Sequence, residues 1–168
     1  MSTQENTGRS LLECLKEVSS LLDHARSVAL KQQEALVKND AEMIVLTARA
    51  QEEVLRRIGE SDQRAAALGA ELAESAGLDP QTTDIDALAA AAGHPYSGLI
   101  RLEMGRIVEL AEQVRGENQV CATLLSNGLD IIVCCLRTRA SDPGPNSYGR
   151  DASLPEPQSV VLSLDLRA

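Results

Sequence analysis

The side chains able to do chemistry are few and poorly placed for it. There are two histidines, His24 and His94, and four cysteines, Cys14, Cys121, Cys134 and Cys135. His24 sits between Asp23 and Arg26 in a helical stretch, where a phosphoacceptor histidine on a helix bundle is one reading. Its followers are Ala-Arg-Ser, and the His-x-x-Lys-Gly pattern of such sites is missing, so His24 reads as a solvated flank residue. His94, in Gly-His-Pro, reads as turn punctuation. The cysteines form no CxxC pair and stand near no histidine cluster. Adjacent Cys134 and Cys135 on a helix point about 100° apart and cannot close a relaxed disulfide together. All four read as small reduced core residues. No inward Glu-x-x-His pair suggests a di-metal bundle, and no glycine-rich phosphate loop follows a strand. The expectation is a chain with no catalytic residues, no metal and no cofactor, and hence not an enzyme.

The elements around these residues are helical. Leu and Ala supply 24 and 22 of 168 residues, and Tyr96 and Tyr148 are the only aromatics. Leu and Ala favour helices, while aromatic and β-branched residues favour strands. A capping-box spacing at Ser10 and Glu13 predicts a first helix start. Leu11, Leu15, Val18, Leu22, Ala25, Ala29, Gln32 and Leu36 then repeat at steps of four and three, a heptad seam with one polar interruption. Asp40 is placed to cap a second helix, after a hairpin turn at Asn39-Asp40. Its seam reads Ala41, Ile44, Ala48, Gln51, Leu55, Ile58, Asp62, Ala65, Gly69, Leu72 and Ala76, and it stops at Gly77 before Pro80. Gln51 and Asp62 read as polar seam positions that either control register or mark where the seam faces solvent. Asp84 caps a short Ala-rich helix over Ile85–Ala92, closed by Gly93 and Pro95. A third long helix runs from near Ser97 to about Arg139 on the seam Ile100, Met104, Ile107, Ala111, Val114, Asn118, Cys121, Leu125, Gly128, Ile132 and Cys135. Its glycines at 105, 116 and 128 mean either close backbone approach or a deformable helix.

The fold expected is all-α: an elongated antiparallel bundle of three long helices over residues 1–140, with the short helix in the second connection. Residues 141–168 hold four of the six prolines, Pro143, Pro145, Pro155 and Pro157, and read as a flexible tail. That tail closes on a period-two pattern of Leu162, Leu164 and Leu166, a short extended segment needing a partner.

Charge narrows the partners. Lys+Arg is 16 against 25 Asp+Glu, a formal net charge of −9. An acidic chain repels phosphate backbones and anionic bilayers, so no nucleic acid is expected as partner. No apolar run approaches the roughly 20 residues that span a bilayer, so no integral membrane segment is expected. The polar start, MSTQENTGRS, has no signal-peptide core, and a cytoplasmic location is expected.

Asn118-Gln119, then Leu124-Leu125, then a Pro-rich linker and Tyr148-Gly149-Arg150-Asp151 resemble the FlgN family of flagellar export chaperones. In that family an Asn-rich motif precedes paired leucines on the third helix, and a Tyr-Gly-x-Asp-Gly type element lies in the tail. Here Cys121 replaces the family's second Asn and Ala152 its final Gly. The resemblance implies a cytoplasmic chaperone that binds hook–filament junction proteins and delivers them to the flagellar type III export apparatus. It implies cargo binding by the third helix and tail. On the apolar pattern there, the expected contacts are Asn118, Leu125, Ile132, Leu136, Leu162, Leu164 and Leu166. It also implies that Tyr148, with Gly149 and Asp151, contacts the cytoplasmic domain of the export gate. The residues alone leave open another reading of Asn118, as a polar seam residue that sets pairing geometry. They also leave open a structural coiled-coil protein that self-assembles through its seams.

Overall fold

The structure is a computed structural model that describes residues 3–80 and 82–141. The expectations placed on the 142–168 stretch, including Tyr148, Gly149, Asp151, Leu162, Leu164 and Leu166, lie outside the described residues. Four helices follow in order: α1 (Thr3–Lys38), α2 (Ala41–Ser75), α3 (Ile85–Ala92) and α4 (Tyr96–Ser141). The fold is all-α, with no strand among the described residues. The chain divides into two compact units, Met1–Asp130 and Ile131–Ala168. In the second, the described residues are the end of α4, and residues 131–138 are exposed.

The helix boundaries follow local chemistry. Asn39 takes a left-handed φ of 53°, a conformation Asn tolerates better than most residues. The Asn39 and Asp40 backbone amides donate to the carbonyls of Leu36 (3.1 Å) and Ala35 (2.9 Å). The Asp40 carboxylate then accepts from the Met43 amide at 3.1 Å and caps α2. Gly77, at φ 71°, closes α2. Its amide reaches the Glu74 carbonyl at 3.0 Å, and the Leu78 amide reaches that of Ala73 at 2.9 Å, a Schellman arrangement. Asp84 caps α3 by accepting from the Ala87 amide at 2.7 Å, and α3 occupies the expected residues.

One boundary differs from the sequence reading. α1 begins at Thr3, so Ser10 lies inside the helix and caps nothing. Tertiary contacts hold the extra turns: the Gln4 side-chain amide donates to the Ser75 carbonyl at 2.9 Å, and the Thr7 hydroxyl donates to Glu71 Oε1 at 3.0 Å. Gly8 is required there, because a Cβ would stand 2.9 Å from the Ala92 Cβ of α3.

Two apolar clusters hold the first unit together. One joins Leu11, Leu12 and Leu15 to Leu72, Ala89, Ala92 and Ile100, with Tyr96 packed against it. The other joins Val18, Leu22 and Ala25 to Val54, Leu110 and Val114. Every expected α1 seam position from Leu11 to Gln32 is buried. The α2 seam is corrected by one step in its middle. Thr47, Val54 and Ser61 are the buried positions, and Leu55 and Asp62 are exposed. The inward hydroxyls explain the difference. The Thr47 hydroxyl donates to its own helix at the Met43 carbonyl (2.7 Å), and Ser61 fits a close approach where the Cys14 thiol donates to its carbonyl at 3.2 Å. On α4, Leu110 is buried and Ala111 exposed, again one step from the expected position.

Candidate functional site

The chemistry of α4 changes at residues 117 and 118. Before them, Ile100, Leu110 and Val114 are buried against the other helices. At the change, a polar layer crosses three helices. The Gln51 side-chain amide of α2 donates to Asn118 Oδ1 at 2.7 Å. The Gln33 side-chain amide of α1 donates to both the backbone carbonyl (3.0 Å) and Oε2 (2.6 Å) of Glu117. All four residues are half-buried. One step on, Cys121 is buried and its thiol points to the Ala29 carbonyl at 3.6 Å. Burial raises the Cys121 thiol above its ordinary pKa, and the nearby Glu117 carboxylate adds to the rise.

From Val120 onward most of the large apolar residues of α4 are exposed, with Leu124 half-buried. Leu125 is 43% exposed, Ile132 56% and Leu136 62%, and Val120, Leu129, Ile131 and Val133 are exposed too. Between Glu117 and Arg137 the only charged residue is Asp130. The helix contains an 18-residue stretch of mean hydropathy 1.6 that is 6% buried. By length and composition alone it is long and apolar enough to cross a membrane. The sequence expectation of no such segment rests on contiguous runs, which Gln119, Ser126, Asn127 and Asp130 interrupt, while the average over the window stays high. Within the first unit, Gln119, Thr123, Ser126 and Asp130 carry the polar pattern of this stretch.

The other candidates come together less. His24 lies exposed on α1, and His94 is exposed in the turn before α4. No group of three His, Cys, Asp or Glu among the described residues could hold a metal ion. Cys14 and Cys121 are buried core residues as expected, whereas Cys134 and Cys135 are exposed, which corrects the core expectation for that pair: they lie on the part of α4 where residues 131–138 are exposed. A cavity of about 320 Å³ lies where Leu11, Leu15, Gly69, Leu88 and Met104 meet, and it offers few polar groups. Of the expected cargo residues, Asn118 is tied to Gln51, while Leu125, Ile132 and Leu136 are open. Sequence reasoning flagged Gln51 and Asn118 separately and passed over Gln33 and Glu117. The available signal was that the three seams each carried one amide, Gln32, Gln51 and Asn118, and lone seam amides satisfy each other when paired.

Described residues that are all-α, with exposed apolar side chains late in α4 and a sparse set of reactive groups, have the features of a protein-binding scaffold. The sequence profile of the FlgN protein family matches residues 1–156, and the chain belongs to that family. Membership carries the family's general role as flagellar export chaperones, which are in general soluble and cytoplasmic. No curated protein and no solved structure matches the chain.

Proposed function

We propose that this chain binds hook–filament junction proteins and delivers them to the flagellar type III export apparatus, without catalysing a reaction. The three long helices serve as an antiparallel bundle in which α1 and α2 hold α4 in place. The observation that carries the proposal is the apolar stretch of α4 between Glu117 and Arg137, where exposed apolar residues follow one another with Asp130 as the single charge, while the α1 seam from Leu11 to Gln32 is buried within the chain. An apolar helix of the cargo docks on Leu125, Ile132 and Leu136 in helix-in-groove fashion, with Asn118 at the inner border. Leu162, Leu164 and Leu166 add a second cargo contact. Tyr148, with Gly149 and Asp151, provides an aromatic anchor for the cytoplasmic domain of the export gate, a role that rests on the family resemblance.

Fully burying an exposed Leu or Ile contributes about 1.5–3 kcal/mol. These three start roughly half exposed, so each is expected to add about 1 kcal/mol. Replacing all three with Ser removes about 3 kcal/mol, roughly a hundredfold in Kd. Calorimetric titration of a junction protein into the full chain tests this. Micromolar or tighter binding, weakened about a hundredfold by Leu125→Ser/Ile132→Ser/Leu136→Ser at unchanged melting temperature, is the expected result. Equal binding by both chains would refute the assignment of the surface. The rival is self-assembly through the heptad seams. It is disfavoured because the α1 seam is already buried within the chain, and it predicts concentration-dependent association with no cargo binding.

A further inference from the structure

The polar layer at residues 117 and 118 has a structural logic separate from cargo contact. α1 and α4 meet in one direction along the first unit. Leu11 and Leu15 share a cluster with Ile100, Val18 and Leu22 share one with Leu110 and Val114, and Ala29 meets Cys121. The α4 seam repeats in part under a seven-residue shift. A slip that exchanges Ile100 for Ile107, Ile107 for Val114 and Val114 for Cys121 keeps those places apolar but sets Glu117 in the place of buried Leu110; the opposite slip sets Glu103 there and Gly93 in the place of Ile100. Apolar burial therefore favours the native register, and the polar layer adds to that preference. The polar layer discriminates strongly. A slip in one direction would set Gln33 and Gln51 against Leu124 and Leu125, and in the other against Leu110 and Ala111. Either would leave half-buried amides without partners, and unpaired buried polar groups are costly.

We propose that the Gln51–Asn118 hydrogen bond, flanked by Gln33–Glu117, is the register lock of α4 on the α1–α2 hairpin, and that it decides which apolar residues of α4 stay uncovered. Asn118 is in this sense a positioning residue: it faces Gln51 and acts on the docking surface by fixing where that surface begins. The lock stands on the geometry of the first unit. Only its consequence for cargo rests on the proposed function.

Register-specific disulfide trapping tests the lock in the full chain, with Cys14, Cys134 and Cys135 replaced by Ser. Cys121 is paired in turn with Ala29→Cys, the native register, and with Leu22→Cys or Leu36→Cys, one heptad to either side. With the polar layer intact, only the Ala29→Cys pair should cross-link under mild oxidation. Adding Gln33→Ala, Gln51→Leu and Asn118→Leu should keep helicity and the melting temperature, or raise the latter. The same change should bring up a second cross-link, at Leu22→Cys or Leu36→Cys, to at least a tenth of the native one. The swap Gln51→Asn/Asn118→Gln keeps a complementary pair and should restore the single product. A lone native cross-link in the apolar variant would overturn the lock. So would its loss of helix and cooperative melting, since the layer would then serve folding rather than register. A swap that slips would overturn it as well. Because the readout is the cross-link pattern, a failure here is distinct from a failure to bind cargo.

Discussion

Replacing Gly105 and Gly116 of α4 with Ala should stabilise the chain, and the size of the effect follows from the geometry. Neither glycine has a positive φ, and a Cβ built on either meets nothing within 4 Å. Both lie exposed in a helix interior, where Gly is less favourable than Ala by about 1 kcal/mol because of its greater backbone entropy. The two changes should add about 2 kcal/mol. For a chain of this size that raises Tm by roughly 4–8 °C. Thermal melts followed by circular dichroism, with denaturant titration as a second measure, give the assay. Gly8→Ala is the internal control, since its Cβ would collide with Ala92 and overpacking typically costs about 1–3 kcal/mol. A rise for the α4 pair and a fall for Gly8→Ala is expected. A lower Tm for Gly105→Ala/Gly116→Ala would show that α4 needs backbone freedom at those turns, and would refute the open-space argument.

Three further outcomes are expected. Leu72 is fully buried between α1, α3 and α4, so Leu72→Ala should cost about 2–5 kcal/mol in a denaturant titration. Asp40→Ala removes the acceptor for the Met43 amide and should cost about 1 kcal/mol by the same measurement. Thiol alkylation of the native chain should modify exposed Cys134 and Cys135 well before buried Cys14 and Cys121, read by peptide mass. The buried pair also sets a pH dependence. Burial raises both thiols above the ordinary value of 9.0; for Cys14, Arg64 opposes the rise while Glu17 and Asp62 add to it. The unfolded chain therefore releases these protons first as pH climbs. Their stabilisation is complete below 9.0 and is lost as pH rises through the higher folded values. Denaturant midpoints should fall between about pH 8 and about pH 10, and fall less in Cys14→Ala/Cys121→Ala.

Much of the fold was legible because local signals and tertiary packing agree. Asp40, Gly77, Asp84 and Gly93 punctuate the helices where their side chains or backbone freedom predict. The start of α1 was not legible, because Thr3 to Arg9 carry little apolar signal and are held by Gln4, Thr7 and Gly8 reaching α2 and α3. The middle of the α2 seam was misread for a related reason: Thr47 and Ser61 look solvated by composition, yet their small size fits a close interface. At the site, the open leucines of α4 were visible as a pattern. Which of them a neighbour covers is a property of the hairpin and not of α4. Asn118 carried two readings in the sequence, and its 2.7 Å bond from Gln51 gives the pairing role its physical basis.

The uncovered stretch of α4 also governs how copies of the chain behave beside one another. Its side chains are adhesive, and nothing on that stretch repels a second copy except the single charge of Asp130. Keeping copies apart therefore falls to the long-range field of the whole molecule, a formal charge of −9 at neutral pH. That field fades as the solution approaches the isoelectric point near 4.7, and salt shortens its reach to about 10 Å at 0.1 M. The chain is thus a colloid whose dispersion depends on acidity and ionic strength, and its acidic surplus is the counterpart of its exposed leucines.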